Sequence, residues 1–323
     1  MHRRMQGAAI LALAAVLGCA AVGQEKQMAG DVMRNDPALA KLIPAGAQVE
    51  KLAGGFAFTE GPVWTREGVL LFSDIPNNVI RKWDPRSGAV SDFRRPSANT
   101  NGNTLDAQGR LVCCEHAGRR VSRREANGEY STLVDRYDGK RLNSPNDVVY
   151  KSNGSLYFTD PPYGLPGQDR DPAKELPHNG VYRWMDGRLT LLTTELMRPN
   201  GLAFSPDEKT LYVANSDGAR KIWMAYPVKA DGTLGAGRVF FDVTSSKEDG
   251  LPDGMKVDRE GHLYCTGPGG VWVFDPHGKH LGTIRPAEVP ANCHWGDADG
   301  KALYMTARTG LYRIRVSVPG IRP

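Results

Sequence analysis

Cysteine is scarce in this chain, five residues in all with no two in C-x-x-C spacing, so a zinc–thiolate site is disfavoured from the outset. Long apolar runs are scarcer still. The one that occurs, Ala8 to Val22, is shorter than the roughly 20 residues a membrane-spanning helix needs. No stretch sustains helix-period apolar spacing, and no G-x-S-x-G elbow is present, which disfavours a serine esterase. Charge of one sign is also lacking: the formal net charge is +5. The densest basic stretch, Gly118 to Glu125, has no aromatic partners on which bases could stack, so no nucleic-acid partner is expected. What the chain does have is 37 glycines and 22 prolines, a composition suited to many short strands joined by turns.

Arg3 and Arg4 before the apolar run, and the polar Gln24-Glu25-Lys26 after it, form the layout of a secretory signal over residues 1–23. The protein is therefore expected to be exported to the periplasm. Cys19 offers a lipoprotein cleavage site, but Leu17 stands where a small residue is usual, so a lipid anchor is the less favoured alternative. Residues 24–44 read as a short N-terminal segment and 319–323 as a C-terminal tail. Cys113, Cys114, Cys265 and Cys293 remain in the mature chain, and buried free thiols are the preferred reading.

Between these ends one pattern recurs. "EGPVWTREGVLLFSD" runs from Glu60, "NGNTLDAQGRLVCCEH" from Asn101, "PNDVVYKSNGSLYFTD" from Pro145, "PNGLAFSPDEKTLYVAN" from Pro199, "PDGMKVDREGHLYCTG" from Pro252 and, more loosely, "ANCHWGDADGKALYMTA" from Ala291. Each copy has a polar opening, an apolar strand, a Gly/Asp/Asn-rich turn and a Leu-Tyr-like second strand; a third and fourth strand follow. The positions after the polar opening are Gly61, Gly102, Asp147, Gly201, Gly254 and Asn292, spaced 41, 45, 54, 53 and 38 residues apart. About forty residues and four strands per unit is a propeller blade. The expected fold is all-β, a six-bladed β-propeller of four-stranded blades over residues 45–318. The strand near Gln48 to Phe56 is expected to complete the last blade and so remove two raw sheet edges. The long third interval holds a Pro-rich insert, Pro161 to Asn179, able to cover part of one face.

In a propeller the innermost strands all start at one end of the central channel. The polar openings Glu60, Asn101, Asn146, Asn200 and Asp253, with Ala291 in the loose copy, are therefore expected to converge on the axis. Taken singly, each Asn-Gly or Asp-Gly is a favoured turn pair, since both residue types tolerate positive φ. Taken together, two carboxylates and two or three carboxamides, with no thiol among them, are the oxygen donors a hard divalent cation requires. The ends of the second strands, Asp74, His116, Asp160, Asn215 and Arg308, form a second polar ring, suited either to strand-end capping or to substrate contact.

These residues resemble a known family. "EGPVW" at Glu60 to Trp64, "SPND" at Ser144 to Asp147, "PNGLAFSPDEKTLYVANS" from Pro199 and "LPDGMKVDREG" from Leu251 are similar to the senescence-marker-protein/gluconolactonase/luciferin-regenerating-enzyme-like propellers. "TNGNTLDAQGRLVCCEHAGRRV" from Thr100 and "LYFTDPPYGL" from Leu156 resemble its bacterial gluconolactonase branch. The resemblance implies a cation, usually calcium, with Mg²⁺, Mn²⁺ or Zn²⁺ as alternatives. Its ligands would be Glu60, Asn200 and Asp253, with Asn146 as a fourth ligand or a neighbour acting through water. It implies Asp253 as general base or nucleophile. Animal members carry an Arg where this chain has Ser144, a departure that bears on sugar specificity. Asn101, His116, Ser144, Asn146 and Asp160 are the expected substrate contacts. The expected activity is metal-dependent hydrolysis of a small lactone by a monomer. An organophosphate or other cyclic-ester hydrolase using the same site, and a non-catalytic ligand-binding propeller, are the alternatives.

Overall fold

The computed structural model describes residues 29–322; the expected secretory signal, with Cys19, lies outside them. The chain forms a nearly all-β six-bladed propeller. Blades 1 to 4 are four-stranded antiparallel sheets over residues 59–94, 100–134, 148–193 and 199–242. Blade 5 spans residues 255–286, and blade 6 combines residues 290–315 with the N-terminal strand Glu50–Gly54. That strand lies antiparallel to Gly310–Arg315, with Glu50 opposite Arg313 and Gly54 opposite Gly310. Arg313 and Glu50 also form an ion pair at 2.6 Å, so the two ends of the chain close the ring.

The Leu-Tyr signature of the second strands follows from this packing. Leu70–Asp74, Leu111–Glu115, Leu156–Asp160, Leu263–Gly267 and Ala302–Ala307 are buried at every position. Their alternate side chains face the blades on either side, so neither face can be polar. Blades 4 and 5, for example, share one core of Ala203, Tyr212, Trp223, Met255 and Phe274. The hairpin turns repeat one local device: the Oδ1 atoms of Asp106, Asp258 and Asp275 each accept backbone N–H bonds from residues two and four further on.

The N-terminal segment has more structure than its sequence suggests. Gly30–Arg34 pairs with the outer strand His280–Pro286 and gives blade 5 a fifth strand. A short helix, Leu39–Leu42, then buries Leu39, Leu42 and Ile43 against Val273, Leu281 and Ile284. The apolar spacing of those three residues is too brief to announce a helix on its own. All four cysteines of the described chain are free and buried, and burial pushes the Cys113 and Cys293 thiols up to about 12. Among the described residues no helix is long and apolar enough to cross a membrane.

Candidate functional site

The polar openings of five blades meet in a cavity of ≈ 370 Å³ at one end of the central channel. Glu60, Asn101, Asn146, Asn200 and Asp253 form its polar floor, and His116 stands beside Asn101. Phe58, Ile75, Pro76 and Leu251 make an apolar wall, and Tyr163 reaches in from the Pro-rich insert.

Two backbone devices aim these side chains. A β-bulge interrupts the register of the innermost strand between Glu60 and Val63, Thr100 and Asn103, Pro199 and Leu202, and Pro290 and Asn292. Strand side chains alternate between faces, so one extra residue re-aims those beside it, here towards the axis. The second device is glycine. The Asn-Gly pairs at Asn101 and Asn200 lie inside strands, not at turns, and of the four recurring glycines only Gly61 has positive φ. Their common property is crowding. A Cβ on Gly102 would sit 2.5 Å from the Asn146 carbonyl oxygen, and one on Gly201 would sit 2.2 Å from that of Asp253. On Gly61 it would meet the Asn101 carbonyl oxygen at 2.0 Å, and on Gly254 the Asn292 side chain at 2.0 Å. Glycine thus lets neighbouring inner strands touch, which draws the polar tips together.

Copies 3 and 6 have a side chain where the others have glycine, and those side chains fill the axis beneath the floor. Asn292 Nδ2 donates to Glu60 Oε2 at 2.9 Å and to Asp147 Oδ2 at 3.4 Å, while its Oδ1 accepts from the Cys293 N–H at 2.8 Å. Asn292 thereby bridges two buried carboxylates. Neither Asp147 nor Asn292 was among the expected site residues, although their departure from glycine in an otherwise regular position was the available signal.

Burial and mutual repulsion act on the acids of the floor. Burial, and then the charge of Asp147, push Glu60 up to about 7, against hydrogen bonds from Gly61 and Asn292. Asp253 is raised well above the ordinary carboxylate range by burial first, then by Glu60 and Asp147. It is enclosed by protein yet half-buried overall, because one side opens to the cavity. Its Oδ1 is buried with no hydrogen-bond partner, as is the Oδ1 of Asn101. The Asn101 amide faces His116 Nε2 through Nδ2 at 3.3 Å. Burial holds His116 down to about 4, so the ring is neutral. Ser216 donates its hydroxyl hydrogen to the Pro252 carbonyl and must therefore accept from Asn200 Nδ2, 2.9 Å away. This fixes the Asn200 amide, with Oδ1 left for another partner. Among the described residues no group of three or more His, Cys, Asp or Glu side chains is arranged to hold a metal ion. The convergent oxygens are two carboxylates plus carboxamides, two of those oxygens lacking partners, and that set fits a hard cation.

The other expected contacts are placed differently. Asp160 lies behind the cavity, its Oδ2 and Oδ1 accepting from the backbone N–H groups of Asn143 at 2.7 Å and Ser144 at 2.8 Å. Ser144 is fully buried and spends its hydroxyl on the insert, donating to the Pro161 carbonyl at 2.6 Å. Neither lines the cavity. Asp74 and Asn215 similarly accept from the N–H groups of Ala57 and Arg198, so capping describes these strand ends. Arg308 is paired with Asp249. Tyr163 and Ser216 line the cavity without having been singled out. Nothing in the repeat marks a residue delivered by an insert.

Residues 58–309 match the family model described as the SMP-30/Gluconolactonase/LRE-like region. A gluconolactonase of Zymomonas mobilis is 36% identical, over 97% of this chain and 94% of its own length. The solved structure of a Xanthomonas campestris gluconolactonase is 37% identical, covers 91% of this chain and 98% of that one, and superposes with a TM-score of 0.80. A calcium-binding protein, regucalcin of Agrobacterium tumefaciens, shares the fold at 20% identity, with 86% and 96% of the two chains covered and a TM-score of 0.70.

Proposed function

This chain belongs to the SMP-30/gluconolactonase/LRE-like family, and from that premise we propose that it is a metal-dependent hydrolase opening a small lactone to its hydroxy acid. The observation that carries the reading is the convergence of Glu60, Asn146, Asn200 and Asp253 in one cavity, with a partnerless oxygen on Asp253.

Glu60, Asn200 and Asp253 would hold the cation, with Asn146 as a fourth ligand or acting through water; calcium is our first choice. When bound, it supplies positive charge where the lactone carbonyl oxygen gains negative charge as water adds. Glu60 and Asp253, raised by burial when alone, would be ionised when they hold the cation. Asp253 takes a proton from the attacking water and returns it to the ring oxygen as the C–O bond breaks. Phe58, Ile75, Pro76 and Leu251 keep that step away from bulk water. Neutral His116, held by Asn101, borders the substrate space. The leader sequence supports an exported, periplasmic enzyme, and the closed ring supports a monomer.

A pH-drop assay over a lactone panel, with and without chelator, tests the reading. Asp253→Asn is expected to lower turnover by about 10²- to 10⁴-fold while calorimetry still detects calcium. Absence of hydrolysis of any lactone by the intact protein would instead support a ligand-binding propeller.

A further inference from the structure

The cavity floor accounts for a carbonyl and a water, but not for the rest of a substrate. Among the remaining lining residues, Phe58, Ile75, Pro76 and Leu251 have no polar side-chain atoms. Ser216 has given its hydrogen to Pro252, and His116 Nε2 faces the Asn101 amide. The phenol of Tyr163 also lines the cavity and can donate a hydrogen bond into it. It lies beside the Ser216 hydroxyl and the Asn200 amide and within the field of Asp253. A phenol has one hydrogen to donate and can accept at the same oxygen.

The loop carrying Tyr163 is fixed from below. Ser144 Oγ donates to the Pro161 carbonyl at 2.6 Å and accepts from the Gly164 N–H at 2.8 Å. Leu165 N–H closes the turn on Pro162 at 3.0 Å. Gly164 is pressed so closely onto blades 2 and 3 that a Cβ would lie 2.7 Å from that of His116 and 2.8 Å from that of Ser144. Further along, the insert is tied down by the Arg198–Asp169 ion pair and by Arg119 donating to the Ala173 carbonyl at 2.9 Å. Four successive residues, Pro161 to Gly164, are thus clamped at both ends by a serine outside the cavity, and of the two between the clamps, Pro162 and Tyr163, the tyrosine lines it.

Resting on the lactonase reading, we propose that Tyr163 is a specificity-determining residue: its phenol hydrogen-bonds a ring hydroxyl of the substrate, and Ser144 acts through the Pro161–Gly164 loop as its positioning residue. A site that recognises a hydroxyl through a fixed donor discriminates against analogues without one.

The test compares D-glucono-1,5-lactone with δ-valerolactone, the same six-membered ring without hydroxyls, using the intact protein and Tyr163→Phe. One neutral hydrogen bond corresponds to roughly a tenfold change. The variant is expected to lose about that factor in kcat/KM on gluconolactone and to stay within about twofold on δ-valerolactone. Ser144→Ala, which keeps the phenol but frees the loop, should shift the same ratio in the same direction. Equal loss on both substrates, or none on either, overturns the assignment. Binding of the two corresponding lactams, read by calorimetry, separates this from the hydrolysis reading. If neither lactone is turned over, hydrolysis falls, while a roughly tenfold weaker gluconolactam complex in Tyr163→Phe still upholds the contact. Equal gluconolactam affinity, or no lactam binding by the intact protein, overturns it.

Discussion

Gly201→Ala is the most informative single perturbation, because two effects of opposite sign compete at that position. Gly201 does not have positive φ. At such a site alanine ordinarily stabilises a protein by about 0.4–1 kcal/mol, through the smaller entropy of the unfolded chain. Here the new Cβ would lie 2.2 Å from the Asp253 carbonyl oxygen and 2.6 Å from Gly254 Cα. Both are backbone atoms, so the clash cannot be relieved by a side-chain rotation, and the inner strands of blades 4 and 5 must separate. Overpacking of a tight core costs about 1–3 kcal/mol, enough to reverse the entropic gain. Because Asp253 itself moves, the spacing between Asn200 and Asp253 opens as well. Urea unfolding should therefore show a loss of about 1–2 kcal/mol, accompanied by weaker calcium binding. Gly46, also without positive φ and with open space around its Cβ position, is the control: Gly46→Ala should be neutral or slightly stabilising. A Gly201→Ala protein as stable as the parent, with unchanged calcium affinity, would refute the claim that glycine is there to let strands touch.

The raised acids set a pH dependence. A carboxyl whose folded pKa lies above its unfolded value gives stability that is full below the unfolded value and is lost as pH rises through the folded one. For Glu60 that window runs from 4.5 to about 7. Chelated protein should therefore lose stability on going from pH 5 to pH 8, and less so in Glu60→Gln. Asp160, also raised to about 7 by burial, contributes in the same window and is unaffected by that substitution. Calcium at about a hundred times its Kd should stabilise the native state by about 2.7 kcal/mol, read as a rise in Tm that Asp253→Ala abolishes. Asn292→Ala withdraws the donor shared by Glu60 and Asp147 and should cost about 1–3 kcal/mol in urea unfolding of the metal-free protein.

How much of this was legible beforehand depended on whether the signal was local. Strand patterning, the Asp-capped hairpins and the forty-residue period are set by neighbours in sequence, so the six blades, their closure by Glu50–Gly54 and the polar opening of each copy could all be read directly. That register also led to the expectation that Glu60, Asn101, Asn146, Asn200 and Asp253 converge, and they line one cavity. The purpose of the glycines did not follow from it, because Asn-Gly has a local meaning as a turn and a different one when another strand lies against it. Only closure of the ring brings the Asp253 carbonyl to Gly201, or Asn292 to Glu60 across more than two hundred residues. The same holds for Ser144 and Asp160, which share the sequence character of substrate contacts but face the loop and backbone they support. Tyr163 reaches the site through an insert belonging to no repeat, and Gly30–Arg34 finds an outer edge that exists only once blade 5 has formed. Sequence periodicity thus determined which residues point towards the centre; contacts between segments distant along the chain decided what each of them meets there.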